Sequence, residues 1–222
     1  MSLSLYALAH GLIITLSLSA MALFLGGILA YGMTACSYSR TPVLHRLIQA
    51  LIYFVRGTPL LIQIFIIYFG LSQFAWLRHS YAWWWFKSPW ACAVTALAIN
   101  TACYTTVLFN GVIRYSVPAN EIAATKALGM SAGLAFRRII FPRAYRLALP
   151  AYSNEVIMIV KSTSLAFTIT LMDIMGVTQE LIAETYASFK WYLIAGAIYL
   201  TINLFILALF RYLQQRLILK AL

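Results

Sequence analysis

Five stretches of this chain are apolar over about 20 residues or more, the length an α-helix needs to cross the hydrocarbon core of a bilayer. They run over Gly11–Ala35, Val43–Leu71, Pro89–Ile113, Leu149–Ile174 and Trp191–Phe210. A barrel strand would instead alternate apolar and polar residues over about ten positions, and these runs do not alternate. Only 9% of the 222 residues are charged and 63% are hydrophobic, whereas a soluble domain carries about a quarter charged residues. The expected fold is all-α and integral to a membrane, with about five transmembrane helices in a single domain.

The second stretch is interrupted by Arg56-Gly57-Thr58-Pro59, where Gly and Pro should kink or break the helix before Leu60–Leu71 resumes it. Small residues in the first (Ser17, Ser19, Ala20, Gly26, Gly27, Gly32) predict close helix contacts. Met1 to Ser39 contains neither Lys nor Arg, so no cleavable leader with a basic n-region is expected.

Basic residues orient the expected helices. Arg40 and Arg46, then Arg114, Lys126, Arg137, Arg138, Arg143 and Arg146, then Arg211, Arg216 and Lys220 would fall on one side. Arg78, Lys87 and Lys190 would fall on the other. The positive-inside rule then puts the N-terminus outside and the C-terminus in the cytoplasm. The net charge of +11 faces lipid headgroups, and nucleic acid is not needed to explain it. Trp76, Tyr81, Trp83, Trp84 and Trp85 crowd the outer loop Phe74–Lys87, the composition of an interfacial aromatic belt.

Enzyme signatures are missing. No glycine is followed by lysine, so there is no P-loop. His10, His45 and His79 have no acidic residue nearby in sequence, which removes the parts of a Ser–His or metal-dependent hydrolase. Cys36, Cys92 and Cys103 form no CxxC pair. Cys92 and Cys103 sit about 16 Å apart along one helix, too far for a disulfide, and packing is their expected role. No cofactor or metal site is expected in this chain.

Polar groups inside the spans are costly, about 2.5–3.5 kcal/mol for a charge at mid-helix. The fourth span carries Ser153-Asn154-Glu155 and Lys161-Ser162-Thr163-Ser164 on either side of Val156–Val160. Asn154 and Lys161 are seven apart and share a helical face, as do Glu155 and Ser162. Two readings stay open: a Glu–Lys network tying helices together, or a pathway for a small polar solute. Arg56 in the second span could snorkel to the surface, and Asn100, Tyr104, Thr105 and Thr106 add hydrogen-bonding capacity on the third. Asp173, Glu180 and Glu184 are expected at or beyond the outer end of the fourth span, as a solvated loop or an attractor of cations.

Between the third and fourth spans lies an insert, Val117–Pro142, unsuited to the bilayer. Ala119 or Asn120 could cap a short helix Glu121–Leu128, with Glu121 at its positive end. Gly129 could end it in a left-handed conformation. A second helix, Ser131–Ile140, would start with Ser131 as its cap and stop before Pro142. This element is either a helix lying on the membrane surface or a docking site for a partner.

Gly129 is followed after nine residues by Ile139-Ile140-Phe141-Pro142, with Ala127-Leu128-Gly129-Met130 before them. This spacing resembles the EAA loop of bacterial ABC importer permeases, a loop that reads Glu-Ala-Ala, three residues, Gly, nine residues, Ile-x-Leu-Pro. In register with Gly129, Ala123-Ala124-Thr125 stand at the Glu-Ala-Ala positions, and Glu121 lies two residues earlier. Arg56–Gln63 and Asn100–Gly111 resemble segments of the polar amino-acid branch. Leu149–Val156 and Lys161–Ala166 resemble the M-type permeases of arginine and histidine/lysine/ornithine importers. The likeness covers residues 11–211.

The resemblance implies a type I ABC importer permease fold occupying 1–222 as one transmembrane domain, with residues 117–142 as a cytoplasmic coupling loop. It implies a second permease subunit, two ATPase subunits that hold ATP and Mg, and an external solute-binding protein, all at the bacterial inner membrane. Glu155, Asn154, Lys161, Ser162, Ser164, Asn100, Tyr104 and Arg56 are the candidate substrate path. Glu121, Ala123, Ala124, Leu128, Gly129 and Pro142 are the candidate ATPase contacts. A scaffold or sensor that binds an ATPase without moving solute is the alternative.

Overall fold

The computed structural model describes residues 2–38, 42–115 and 118–218, and side chains within 4–37, 42–115, 118–125 and 127–216. Val117, Arg40 and Lys220, together with the side chain of Lys126, lie outside what is described. The chain order is α1 (Ser2–Tyr38), α2 (Pro42–Gly57), α3 (Leu60–Phe65), α4 (Ala75–Arg78), α5 (Trp83–Phe86) and α6 (Pro89–Tyr115). It continues with α7 (Ala119–Ala127), α8 (Ala132–Ala135), α9 (Phe141–Ser162), α10 (Ile174–Thr185) and α11 (Ser188–Ile218). A π turn at Ile66–Gly70 extends α3, a second π turn at Phe136–Ile140 joins α8 to α9, and a 3₁₀ stretch at Thr163–Ile169 extends α9.

Among the described residues, three helices are long and apolar enough to span a bilayer alone, and five spans result if two bent pairs each count as one. The first pair, α2 and α3, bends by 110° at Gly57-Thr58-Pro59. Pro59 has no N–H to give and its φ is fixed, so it cannot continue α2. Its carbonyl instead accepts from Ile62 and Gln63 and starts α3. The interruption expected at this point is therefore a sharp corner.

Helix α6 is the axis of the bundle: 72% of its spanning window is buried, against 6% for α11. It runs parallel to α1, with Trp90 beside Ser17, Ala98 and Thr101 beside Gly26, and Leu108 and Val112 packed with Ala35 in one cluster. Gly26 is required by this approach, because an added Cβ would collide with the Thr101 methyl and stand 2.8 Å from the Ala98 carbonyl oxygen. Helix α9 returns antiparallel, with Phe141 against Phe109 and Ile159 against Leu97. Cys92 and Cys103 are free and fully buried in the helix packing, as expected.

The C-terminal ends of α1, α6 and α11 therefore gather with α7 and α8 at one end of the molecule. The N-terminus of α1, α4, α5 and the α10–α11 junction gather at the other. Arg114, Arg137, Arg138, Arg143, Arg146, Arg211 and Arg216 share the α7 end; Arg78, Lys87 and Lys190 share the opposite one.

Two expected boundaries are corrected. Pro142 does not stop a helix; α8, the π turn and α9 form one continuous rod. A proline in the first turn of α9 leaves the carbonyl four residues earlier without its usual donor, and the wider π turn reroutes the ladder around that gap. The fourth span does not run straight to Ile174 either. It tightens to 3₁₀ after Ser162, turns at Thr170 with φ 69°, and restarts at Asp173.

Candidate functional site

Three groups of polar residues emerge from this packing. The first lies where α2, α3, α6 and α9 meet. Buried Gln63 donates through Nε2 to the Val55 carbonyl at 2.7 Å, the Thr58 carbonyl at 3.0 Å and the Thr58 hydroxyl at 3.0 Å. Its Oε1 accepts from Asn100 Nδ2 at 3.2 Å. These bonds satisfy the carbonyls that the α2–α3 corner leaves without a helical donor, which is why an amide is tolerated at a buried position.

One turn further along α6, the Arg56 guanidinium stands 5.1 Å from the centre of the Tyr104 ring. A cation over an aromatic face is stabilised by the ring quadrupole. Arg56 and Tyr104 line a groove of about 520 Å³ together with Gln49, Tyr53 and Val107. Glu155 of α9, half-buried, faces Thr101 and lies within the electrostatic reach of Arg56. The Thr101 hydroxyl is out of reach of water and turned toward the Glu155 carboxylate. Arg56, Asn100, Tyr104 and Glu155, read from separate segments of the sequence, thus converge around α6.

The second group lies in a cleft of about 430 Å³ between α9 and α11, lined by Lys161, Ser164, Gly196, Tyr199, Leu200 and Asn203. Lys161 is exposed and has no ion-pair partner among the described residues. A Glu155–Lys161 pair, the basis of one of the two open readings, is not formed among the described residues. Six residues at 100° each place the two side chains about 120° apart around α9, so Glu155 turns to α6 and Lys161 to α11. Asn154 is exposed and Ser162 is partly buried; neither joins Glu155 in a hydrogen bond among the described residues. Tyr199 and Asn203 were missed by sequence reading, since single polar residues in an otherwise apolar run carry no pattern.

Asp173 is also placed differently from expectation. It is fully buried rather than at a solvated outer end. It caps α10, its Oδ1 accepting from the Gly176 N–H at 2.9 Å, while Oδ2 accepts from the Tyr199 hydroxyl at 3.4 Å. Thr15 Oγ1 accepts from the Ile174 N–H at 3.2 Å, tying α1 to the same point. Glu180 and Glu184 are exposed on α10.

The third group is the α7–α8 element. Helix α7 begins at Ala119, so Ala119 and Asn120 lie within the helix, and the Pro118 carbonyl takes the first donors, from Glu121 at 3.0 Å and Ile122 at 3.4 Å. Gly129 ends it with φ +69°. The Met130 N–H reaches back to the Thr125 carbonyl at 3.0 Å, the six-to-one bond of a Schellman ending. Ser131 caps α8 by accepting from the Leu134 N–H at 3.4 Å. Ile122, Met130, Ala135 and Phe136 anchor the element to α6 and α9, and Tyr31 of α1 packs its ring on Phe136 and Phe141. On the free side, Ala123, Ala124, Ala127 and Leu128 are exposed, Leu128 by 76%. Glu121 pairs with Arg143 of α9 at 3.4 Å, so the acidic residue expected to meet a partner is engaged within the chain.

This arrangement, a bundle of bent spans with a small helical element at its basic end, has known counterparts. Residues 22–219 match the family of binding-protein-dependent transport system inner membrane components. The chain belongs to this family. The octopine transport system permease protein OccM of Rhizobium radiobacter is 47% identical over 208 residues, covering 94% of this chain and 84% of the relative. The arginine ABC transporter permease protein ArtM of Escherichia coli K12 is 44% identical over 178 residues, covering 80% and 79%. A crystal structure of an amino acid ABC transporter with histidines superposes with a TM-score of 0.81 at 28% identity, over 95% of this chain and 94% of that one. The permease's type I fold follows from these matches, and the relatives are transport subunits rather than enzymes.

Proposed function

We propose that this permease is one membrane subunit of an ATP-driven importer that carries a polar, basic amino acid across the bacterial inner membrane by alternating access. Its substrate class is arginine-like, or that of histidine, lysine and ornithine. The observation that carries the reading is the convergence of Glu155, Arg56, Tyr104 and Asn100 around α6 in a chain whose relatives are named for octopine and arginine. Glu155 offers a carboxylate to a cationic side chain, and Tyr104 offers an aromatic face to the same group. A membrane interior raises the value of such contacts, because water competes less for the charge.

The α7 end faces the cytoplasm in this reading, because it carries most of the arginines. The N-terminus is outside. Two ATPase subunits, holding ATP and Mg, take the exposed Ala123, Ala124 and Leu128 face of α7 into a groove. Their closure pulls on α7, and the continuous helical path through α8, the π turn and α9 carries the displacement past Pro150 to Glu155. A second permease subunit and an external solute-binding protein complete the assembly.

Uptake by vesicles containing all subunits tests this. Radiolabelled arginine accumulates only with internal ATP, and Glu155→Gln lowers uptake and substrate-stimulated ATPase about tenfold, the loss of one charged hydrogen bond. Absence of ATP-dependent uptake of any amino acid would leave a scaffold role instead. Unchanged uptake in Glu155→Gln would remove that residue from the path.

A further inference from the structure

A further polar groove opens at the α7 end of the molecule, apart from the Glu155 cluster and the exposed face of α7. His45 and Gln49 lie four apart on α2, and Asn110 and Arg114 four apart on α6, so each pair shares one face of its helix. The two faces meet around a cavity of about 490 Å³. Among the described residues, none of these four side chains makes a hydrogen bond to the rest of the chain. The fifth polar group there, the Ser37 hydroxyl, is committed to the Met33 carbonyl at 2.8 Å.

The groove is built to take an anion. It offers one guanidinium and three further N–H donors, and no carboxylate lines it. Of the five acidic residues in the chain, Glu121 is paired with Arg143, and the other four stand on α9, at the start of α10 or along it. The surroundings narrow the choice of anion. On the sides that the cavity does not use, α2 exposes Val43, Leu44 and Leu47. The Arg114 guanidinium stands 5.1–6 Å class contact from no acid but 5.4 Å from the centre of the exposed Tyr115 ring, an aromatic suited to headgroup depth. Donors beside bare aliphatic surface fit a phosphate that carries acyl chains, and basic pockets between transmembrane helices take anionic headgroups in this way.

We propose that this groove holds the phosphate of an anionic membrane phospholipid, with Arg114 as its charged partner and His45, Gln49 and Asn110 as further donors. Arginine pairs with phosphate through two parallel N–H bonds, and the acyl chains lie along the exposed side of α2. Occupied, the site ties α2 to α6 beside Ala119, where α7 begins. It is independent of which solute the permease carries.

The test titrates the assembled transporter, purified in mild detergent, with dioctanoyl phosphatidylglycerol, the matching phosphatidylcholine, and glycerol phosphate, with native mass spectrometry as the readout. Phosphatidylglycerol binds about tenfold tighter than phosphatidylcholine, whose choline cation offsets the phosphate charge. Glycerol phosphate, a headgroup without chains, binds about tenfold weaker still or less. Arg114→Gln weakens phosphatidylglycerol about tenfold, the worth of one charge-assisted hydrogen bond. Arg211→Gln, which removes another exposed basic residue from the same end, leaves it within about twofold.

Equal losses from Arg114→Gln and Arg211→Gln would overturn the proposal, leaving only the diffuse attraction of a basic surface for lipid. Glycerol phosphate binding as tightly as the lipid would overturn it in favour of a soluble phosphate compound. An Arg114→Gln complex that keeps full lipid affinity, or that comes apart into subunits, would overturn it by showing that a neighbouring subunit covers the groove. Each of these outcomes leaves the permease reading intact, since amino-acid uptake is measured separately.

Discussion

Asn100 and Gln63, on helices separated by the aromatic loop, share a hydrogen bond of 3.2 Å, and through it the middle of α6 holds the sharpest corner in the bundle. Gln63 then spends its Nε2 on the Val55 and Thr58 carbonyls. Gln63→Leu preserves volume roughly but leaves these acceptors unsatisfied. The expected cost is about 1–3 kcal/mol, read as a lower unfolding midpoint in detergent and faster proteolysis at Gly57–Pro59. An unchanged midpoint would mean that the corner is held by packing alone.

Asp173 caps α10 from a fully buried position and also receives the Tyr199 hydroxyl. Asp173→Ala should lower stability by about 1–2 kcal/mol, as loss of an N-cap does. Asp173→Asn keeps an oxygen for the Gly176 N–H and should recover most of that loss. Equal damage from both substitutions would show that the negative charge, rather than the cap, is what the site needs.

Gly129 occupies the left-handed region at φ +69° with open space around its Cα. Strain, not collision, is therefore the penalty for a side chain there. Gly129→Ala should cost about 1 kcal/mol, and Gly129→Asn less, since asparagine tolerates this conformation. In the assembled transporter Gly129→Asp should also uncouple ATPase activity from uptake, by disturbing the end of the docking helix. Normal coupling in that variant would refute the lever role of α7.

The Glu121–Arg143 pair spans 3.4 Å, with its side chains 37% and 44% exposed. Water and salt screen such a pair, so Glu121→Gln should change stability by no more than about 0.2–1 kcal/mol. Thermal unfolding at low and high salt checks this. A large salt-dependent loss would show that the pair is shielded in the assembled protein.

The positions of the helices were legible from the chain because each spanning run is longer than any soluble helix needs and each loop interrupts it with charge, Gly or Pro. Helix α6 was expected at Pro89–Ile113 and extends only to Tyr115. The left-handed ending at Gly129 and the cap at Ser131 were also readable, since both depend on a few neighbouring residues. Pro142 misled because a proline normally ends a helix; here the π turn before it absorbs the missing donor.

The apolar runs, the basic end and the caps of α7 and α8 are properties of local composition, and the chain determines them by itself. Partners across helices are not local. That Glu155 turns toward Arg56 and Thr101 while Lys161, six residues on, opens toward Asn203 depends on which helices flank α9. So does the burial of Asp173, set by the approach of α1 and α11 to a break in the fourth span. Each of these pairs joins residues distant in sequence, whose separation carries no periodic signal, and only the packing of the helices around α6 brings them together.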